Sequence, residues 1–244
     1  MMRRTRVYVG LDLAAGKILS LPPHAVKHLV QVLRLRTRDY LILFNDEGRD
    51  YPAEILCADR HRIEVRLGEP GPPEPPLPLH VHLALGISKG ERMDFALQKA
   101  VELGVAEITP LFTGRGMVRL DGDRLDKRLE HWQGVVIAAC EQSGRRLLPR
   151  LHPAETLGSW LSKGHHCPLL LDPSAALPLT SLPSPGPALT FLIGPEGGLE
   201  PAEHESAYRA NFTGVRLGPR ILRTETAPLV ALAVAQSQWG DLRC

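Results

Sequence analysis

The chain has 244 residues and a mass of 26.8 kDa, with 43% hydrophobic residues, 23% charged residues and a formal net charge of +2. This composition is typical of a folded globular protein and excludes a chain that is disordered throughout. No run of 18 apolar residues occurs, and residues 1–6 are basic rather than apolar. We therefore expect a cytoplasmic protein with neither a membrane span nor a secretory signal.

The small net charge is unevenly distributed. Residues 1–68 contain 12 Lys and Arg against 8 Asp and Glu. A basic first segment favours a polyanionic partner, although a solvated surface is the alternative for an excess of this size. The candidate RNA-binding residues in this segment are Arg3, Arg4, Arg6, His28, Arg34 and Arg36.

The cysteines and histidines form no motif with metal-ligand spacing. Cys57, Cys140, Cys167 and Cys244 stand singly, without a C-x-x-C pair. His24 and His28 have the i, i+4 spacing of a zinc-protease pair, but they lack the intervening Glu and a third ligand. The sequence therefore predicts no metal site.

The first 70 residues are predicted to form a small β domain with one helix. The hydrophobic pattern predicts strands at 6–9, 40–44, 51–57 and 62–67, and a helix over 22–35. Turn residues such as Asn45 to Gly48 separate the strands, so closure into a barrel is the natural arrangement. Three arginines follow the helix within five residues: Arg34, Arg36 and Arg38. Such a cluster is suited to binding phosphates.

A proline-dense segment at 69–78 marks the predicted domain boundary. Proline has no backbone N–H for a central strand, so residues 71–79 are predicted to be a stiff, extended linker. From His80 to the C-terminus, strand and helix patterns alternate, which predicts a parallel sheet covered on both faces in residues 80–244. The predicted strands are 80–85, 105–112, 168–172, 189–193 and 215–217, and the predicted helices are 91–103, 123–144, 155–162 and 201–209.

The last predicted helix opens with Pro228 and is apolar nearly all round. Such a helix has to be buried on every side, against its own sheet and against a second subunit. We therefore expect a homodimer; a deeply buried helix in a monomer is the alternative.

Two loops carry the strongest functional signal. Residues 193–198 (Ile-Gly-Pro-Glu-Gly-Gly) and 217–227 (Leu-Gly-Pro-Arg-Ile-Leu-Arg-Thr-Glu-Thr-Ala) each follow a predicted strand and precede a helix. Ligands bind at the carboxyl ends of strands in α/β sheets, and glycines let a ligand approach the backbone closely. The P-loop, the Rossmann glycine motif, H-E-x-x-H and G-x-S-x-G are all absent, which argues against the commonest ATPase, dehydrogenase, metalloprotease and esterase classes.

These two loops closely resemble the bacterial ribosomal RNA small subunit methyltransferase E family. Further matches occur in the same order along nearly the whole chain: residues 28–34, 88–94, 98–104, 109–111 and 138–145. The resemblance implies a PUA-like β-barrel followed by an α/β domain of the SPOUT class with a C-terminal trefoil knot. It also implies a homodimer that transfers a methyl group from S-adenosylmethionine to N3 of one uridine in 16S rRNA, within the assembled small ribosomal subunit.

The resemblance, with the chemistry of a uracil acceptor, also nominates site residues. The catalytic candidate is Arg223, which would stabilise negative charge on the uracil, with Glu225 or Glu196 orienting it or accepting the proton. The alternative for Arg223 and Glu225 is a structural ion pair. Arg115 is a candidate RNA clamp. The cofactor-binding candidates are Leu192, Ile193, Gly194, Pro195, Gly197, Gly198, Leu217, Gly218, Ile221, Leu222, Thr226 and Ala227.

Three other functions remain open at this point. A non-catalytic RNA-binding protein would use only the basic surface of the first domain. A hydrolase could hold a phosphate on the N–H groups of Gly197 and Gly198, although Glu196 beside them disfavours an anion. A SPOUT methyltransferase with a different RNA target would share the architecture.

Overall fold

The computed structural model describes residues 5–27, 29, 30, 33–116 and 121–243. The chain divides into two compact units, Met1–Pro75 with Cys140–Leu148, and Pro76–Ala139 with Pro149–Cys244. The domain limits expected from the sequence, 1–70, 71–79 and 80–244, stay predictions. Among the described residues, no helix is both long and apolar enough to cross a membrane.

The first unit is built on a five-stranded sheet with the order β1-β3-β4-β5-β2. Strands β1 and β3 are parallel, and the other neighbouring pairs are antiparallel. Alternate residues of these strands point into one core that includes Leu41, Leu43 and Ile55. Closure of the sheet into a barrel stays a prediction, since the pairing runs from one edge strand to the other. The elements are β1 (Arg6–Tyr8), β2 (Ile18–Ser20), α1 (Pro23–Lys27), β3 (Tyr40–Phe44), β4 (Asp50–Ala58) and β5 (Ile63–Leu67).

The helix expected over 22–35 ends earlier than its hydrophobic pattern indicates. Arg34 has a φ of +55°, and the Leu35 N–H donates to the Leu29 carbonyl at 3.0 Å. A left-handed residue and a hydrogen bond that spans six positions are incompatible with a helix that continues through Arg34. The prediction that the helix continues to Leu35 is therefore wrong.

The proline-dense segment is hydrogen-bonded within the first unit and is not a free spacer. The N–H groups of Gly71 and Glu74 donate to the carbonyls of Asp50 and Gly48, both at 2.8 Å. The Glu74 carboxylate accepts hydrogen bonds from the backbone N–H groups of Arg146 and Leu147. These hydrogen bonds fix residues 71–74 within the first unit. The stiff, extended linker at 71–79 stays a prediction.

The second unit contains a seven-stranded sheet with the order β12-β10-β11-β6-β7-β8, and β9 also pairs with β7. All its described strand pairs are parallel, as the alternation of strands and helices predicts. The strands are β6 (His80–Gly86), β7 (Glu107–Phe112), β8 (Arg150–Leu151), β9 (Glu155–Thr156), β10 (Pro168–Leu171), β11 (Ala188–Ile193) and β12 (Thr213–Val215). The helices are α2 (Glu91–Glu102), α3 (Gly122–Ser143), α4 (Leu157–Leu161), α5 (Pro201–Arg209) and α6 (Ala227–Trp239).

Apolar side chains anchor the helices on this sheet. Leu157 and Trp160 of α4 and Ala207 of α5 share a core with Leu170 and Leu192 of the strands. Helix α2 contacts α6 and buries its apolar stripe, which includes Met93 and Leu97. Strands β12, β10 and β11 are therefore neighbours in this parallel sheet, and their carboxyl ends lie at the same edge.

Helix α6 is only partly buried within the chain. Ala231, Leu232 and Ala235 are buried, but the apolar side chains of Leu229, Val230, Ala233 and Val234 are only half-buried. The expectation that every side is buried is therefore not met within one chain.

Candidate functional site

A cavity of about 590 Å³ opens at the carboxyl ends of β10, β11 and β12. Its walls are the two loops singled out in the sequence, together with the residues that end these strands. They include Leu171, Asp172, Ile193 to Leu199, Val215 to Gly218 and Arg220 to Glu225, with Arg92, His204 and Ala227. The cavity falls within the ordinary range of small-molecule sites, roughly 300–1,000 Å³.

The glycine-rich loop is shaped by close backbone packing. Gly198 has a φ of +68°, and its N–H donates to the Pro195 carbonyl at 2.8 Å, which closes a tight turn. Gly86, at the end of β6, faces the same loop: a Cβ atom there would lie 2.5 Å from both N and Cδ of Pro195. The glycine-rich loop can therefore pack closely against β6 because residue 86 has no side chain.

The second loop is joined to the first by a hydroxyl group. The Thr224 hydroxyl donates to the Gly194 carbonyl at 3.1 Å and lies 3.3 Å from the Ser88 hydroxyl oxygen. The N–H groups of Thr226 and Ala227 both donate to the Arg223 carbonyl at 2.9 Å, turning the chain into α6. Loops that are about thirty residues apart in sequence thus form one wall of the cavity.

Four charged side chains meet at the cavity rim. Arg92 Nη1 donates to Oε1 of Glu196 at 3.0 Å, and Arg92 Nε lies 4.0 Å from Oε2 of Glu225. Arg223 Nη1 lies 3.9 Å from Oε1 of Glu225. The Arg223 side chain is 80% exposed, whereas that of Glu225 is only 16% exposed. Arg223 is therefore largely free to meet a ligand, and the carboxylate behind it is sheltered.

Glu196 is held in its ionised form. Burial tends to raise its pKa, but hydrogen bonds from its own N–H, from the Lys89 N–H and from Arg92 outweigh this effect and lower the pKa. The Lys89 N–H lies 3.1 Å from the carboxylate. A carboxylate with this many donors is a stable fixed charge and a weak base.

Asp172 forms a second acidic wall, at the end of β10. Its Oδ1 accepts hydrogen bonds from the N–H and hydroxyl of Ser174 at 2.8 and 2.6 Å, and its Oδ2 accepts one from the Tyr208 hydroxyl at 2.9 Å. Burial tends to raise the pKa of Asp172, but these hydrogen bonds and nearby His204 lower it overall. The cavity thus has a second carboxylate that is ionised and well supported.

Most of the predicted cofactor and catalytic residues line this single cavity. Leu192 and Thr226 do not. Leu192 is fully buried in the sheet core, because neighbouring residues of a strand point to opposite faces and Ile193 takes the cavity side. Thr226 is the N-cap residue of α6, and its N–H donates to the Arg223 carbonyl. The structure thus places these two residues off the cavity wall, and their role as cofactor contacts stays a prediction.

The predicted RNA-binding residues have different surroundings. Arg34 and Arg36 are exposed. Arg6 is not free for RNA: its side chain is 10% exposed, pairs with Asp50 at 2.7 Å and lies over the Phe44 ring. Arg115 Nη1 donates to the Gly197 carbonyl at 3.1 Å, so it supports the glycine-rich loop. Arg3, Arg4 and His28 lie outside the described residues.

Three residues of the cavity have no role predicted from the sequence: Arg92, Asp172 and Thr224. Each lies shortly after a strand or in a loop at its carboxyl end, where the rule for α/β sheets places ligands. Asp172 directly follows an apolar strand, and this position alone could have identified it as a candidate ligand-binding residue. The pairing of Arg92 with Glu196 spans 104 residues, so no local pattern predicts it.

Comparison with known proteins agrees with this geometry. A family model described as "RNA methyltransferase domain" matches residues 75–236, and another described as "RNA methyltransferase PUA domain" matches residues 21–68. The chain is 34% identical to ribosomal RNA small subunit methyltransferase E of Buchnera aphidicola subsp. Schizaphis graminum, over 98% of each chain. It is 32% identical to the Bacillus subtilis protein of the same name, over 92% of this chain and 91% of that one.

A solved structure is also closely similar. Ribosomal RNA small subunit methyltransferase E from Neisseria gonorrhoeae, bound to S-adenosylmethionine, has a TM-score of 0.94 and 41% identity. The match covers 98% of this chain and 100% of that chain. The chain therefore belongs to the ribosomal RNA small subunit methyltransferase E family, with an N-terminal PUA domain and a C-terminal RNA methyltransferase domain.

Proposed function

We propose that this protein transfers a methyl group from S-adenosylmethionine to N3 of one uridine in 16S rRNA. The observation that carries the proposal is the assembly of both predicted loops into one cavity that has Arg223 and Glu225 at its rim. Membership of the family supports the ribosomal RNA of the small subunit as the substrate class.

The cavity residues suit a bound S-adenosylmethionine. A Cβ atom at Gly194 would lie 3.1 Å from the carbonyl carbon of Gly198, so the loop offers bare backbone where side chains would fill the space. The backbone of residues 194–198 and 217–222 would hold the nucleoside and amino acid parts. The carboxylates of Asp172 and Glu196 favour a positively charged ligand. The cofactor, when bound, supplies an electrophilic methyl group on a sulfonium, so the chain's main task is positioning.

Arg223 is the proposed catalytic cation. When N3 of uracil loses its proton, negative charge spreads to the two ring carbonyl oxygens. The Arg223 guanidinium lies at the rim, where its side chain is 80% exposed and 3.9 Å from Glu225. It can therefore reach an incoming base and stabilise this charge. One such donor supplies roughly 3 kcal/mol of transition-state stabilisation.

Glu225 is the preferred proton acceptor of the two glutamates. Its Oε2 makes no hydrogen bond among the described residues, and Glu225 lines the cavity, so no donor competes for this oxygen. Glu196 accepts hydrogen bonds from Arg92 and from the Lys89 N–H, which make it a weak base. In this proposal, Glu196 fixes the glycine-rich loop and Glu225 takes the proton from N3.

The RNA contacts are assigned to exposed arginines of both units. Arg34 and Arg36 would bind phosphates of the RNA and set its register. Arg115 is the candidate clamp beside the cofactor loop. We propose the assembled small subunit as the substrate, which places the reaction in the cytoplasm, where ribosomes are made.

The half-buried apolar face of α6 supports a homodimer. Leu229, Val230, Ala233 and Val234 form a continuous apolar surface beside the second loop, and a second copy of the chain would cover it. The active site would then lie near the subunit interface.

A SPOUT-type trefoil knot is the proposed topology of the last segment. Strand β12 lies beyond β10, not beside β11. The chain then returns, so that Thr224 contacts Gly194 at the end of β11. This return of the chain is what supports the knot.

The function is tested with radiolabelled S-adenosylmethionine and three substrates: small subunits lacking the modification, free 16S rRNA and large subunits. The RNA is digested to nucleosides, which are separated and identified. Label in 3-methyluridine from small subunits alone is the expected result. Label in a 2′-O-methylated nucleoside, or in another RNA, would favour a SPOUT enzyme with a different target. No label anywhere would favour the non-catalytic RNA-binding protein.

A further inference from the structure

Three histidines and one glutamate gather at the amino-terminal ends of the parallel strands, at the end opposite the cofactor cavity. His80 and His82 belong to β6, Glu107 begins β7, and His152 directly follows β8. Nε2 of His152 lies 2.5 Å from Oε2 of Glu107, and Nε2 of His80 lies 3.5 Å from Oε1 of the same carboxylate. The ring centroids of His82 and His152 are 5.4 Å apart.

This cluster borders a second cavity, of about 260 Å³. The side chains of Glu107 and His152 are 29% and 22% exposed, so an ion can reach them from solvent. The methyl transfer proposed above takes place at the other end of the strands and uses none of these groups. The partly exposed cluster of histidines and Glu107, with its open cavity, therefore has no role in that reaction.

We propose that His82, Glu107 and His152 bind a zinc ion. One ligand atom of each residue lies within 4.8 Å of the corresponding atoms of the other two. Two imidazoles and one carboxylate, with water in the fourth position, form an established zinc ligand set. Zinc–ligand bonds of about 2.0–2.1 Å place tetrahedral ligands about 3.3 Å apart, so small side-chain rotations bring the three atoms into range.

The surroundings hold the ligands in place. Nε2 of His82 lies 2.8 Å from the Thr109 hydroxyl oxygen, and the His82 ring meets the edge of Trp160 with centroids 5.9 Å apart. Zinc on Nδ1 of His82 would leave the Nε2 contact with Thr109 intact, and contacts of this kind orient metal-bound imidazoles in known sites. His80, next to the Glu107 carboxylate, is placed to orient that ligand or to replace the water.

The strands explain why the sequence does not reveal this site. His82 and Glu107 are partners in the register between β6 and β7, although 25 positions separate them along the chain. His152 joins them through the pairing of β8 with β7. A zinc ion here would connect three strands of the sheet.

Zinc binding is tested by stripping the full-length protein with a chelator, dialysing it against zinc and measuring metal per chain. We expect one zinc per chain for the wild type and at least a tenfold weaker affinity for His152→Gln and Glu107→Gln. The matched control is His131→Gln, because His131 also lies 2.7 Å from a carboxylate, that of Asp94, and is not one of the three proposed ligands. Stoichiometric binding that is equal in all four proteins, or absent from the wild type, would overturn the proposal.

X-ray absorption at the zinc edge of the wild-type protein gives an answer that does not depend on how the variants fold. Two imidazoles with oxygen ligands and no sulfur are expected. A sulfur ligand would place the zinc on a cysteine and would also overturn the proposal. Zinc at about one hundred times its Kd should raise the Tm of the wild type by several degrees, but not that of His152→Gln.

Discussion

Arg92 Nη1 donates to Oε1 of Glu196 at 3.0 Å, so a residue in the first turn of α2 holds the centre of the glycine-rich loop. The same guanidinium lies 4.0 Å from Glu225 on the second loop. Arg92 therefore lies between Glu196, which fixes the glycine-rich loop, and Glu225, the proposed proton acceptor, and it aligns the cofactor loop with the catalytic loop.

Replacing Arg92 by Gln should reduce kcat/KM about tenfold, equivalent to about 1.4 kcal/mol, because both carboxylates lose their shared cation. The free energy of unfolding should fall by less than about 1 kcal/mol, since the side chain is half exposed. Lys99→Gln is the control, because Lys99 pairs with Glu102 on the same helix but away from the cavity. Equal losses of activity in both variants would argue against the bridging role.

Replacing Gly86 by Ala should weaken cofactor binding and destabilise the fold by about 1–3 kcal/mol. The added Cβ would lie 2.5 Å from Pro195 N, and the loop backbone has to move. Gly134→Ala, in the middle of α3 with no atom within 4 Å of the added Cβ, should instead stabilise the fold by about 0.5–1 kcal/mol. Urea unfolding and cofactor titration of the pair measure both effects; a cofactor affinity unchanged in Gly86→Ala would contradict the packing argument.

Replacing Asp172 by Asn should lower the free energy of unfolding by about 1–3 kcal/mol at pH 7, because a buried acceptor of three hydrogen bonds loses its charge. The folded pKa of Asp172 lies below the ordinary value of 3.8. The stabilisation is therefore complete above pH 3.8 and is lost as the pH falls through the folded pKa. Urea unfolding from pH 7 to 3 should show the difference between wild type and variant shrinking only below pH 3.8. A difference independent of pH would contradict the assignment.

Replacing Arg223 by Ala should reduce kcat by roughly a hundredfold to a thousandfold, the effect of removing one transition-state donor. Cofactor affinity should change by no more than a few fold, because the side chain is 80% exposed and its guanidinium lies 3.9 Å from Glu225, too far for a close ion pair that would hold the loop. Arg209→Ala, another exposed arginine paired with a glutamate, is the control. Equal losses of turnover and cofactor binding would make Arg223 a structural residue.

The sequence predicts well where a hydrophobic pattern is long. Strand β3 and helix α5 have the predicted limits. The loops after β11 and β12 meet at the carboxyl end of the parallel sheet, although β10 lies between these two strands. Strands β2 and β8 are only two or three residues long, too short for a periodic signal, and were not predicted. Glu155 and Thr156, predicted as the start of a helix, form strand β9 instead. The identity of these three strands depends on partners that are distant in the chain.

Side-chain roles were less predictable than element limits. Arg6 belongs to a basic segment, yet its charge is used to bind Asp50 and two backbone carbonyls inside the first unit. The pairing of Arg92 with Glu196 likewise depends on strand order, which local patterns do not encode. Composition gives the number of charges, whereas only the fold decides which of them face a ligand.

The most direct test is reverse transcription across 16S rRNA from unmodified small subunits treated with the wild-type protein and S-adenosylmethionine. A methyl group on uracil N3 blocks base pairing, so we predict one new stop, at a single uridine, that is lost with Arg223→Ala while the variant still binds the cofactor. A methylated RNA that is copied without any stop would contradict N3 as the acceptor and, with it, the proposed roles of Arg223 and Glu225.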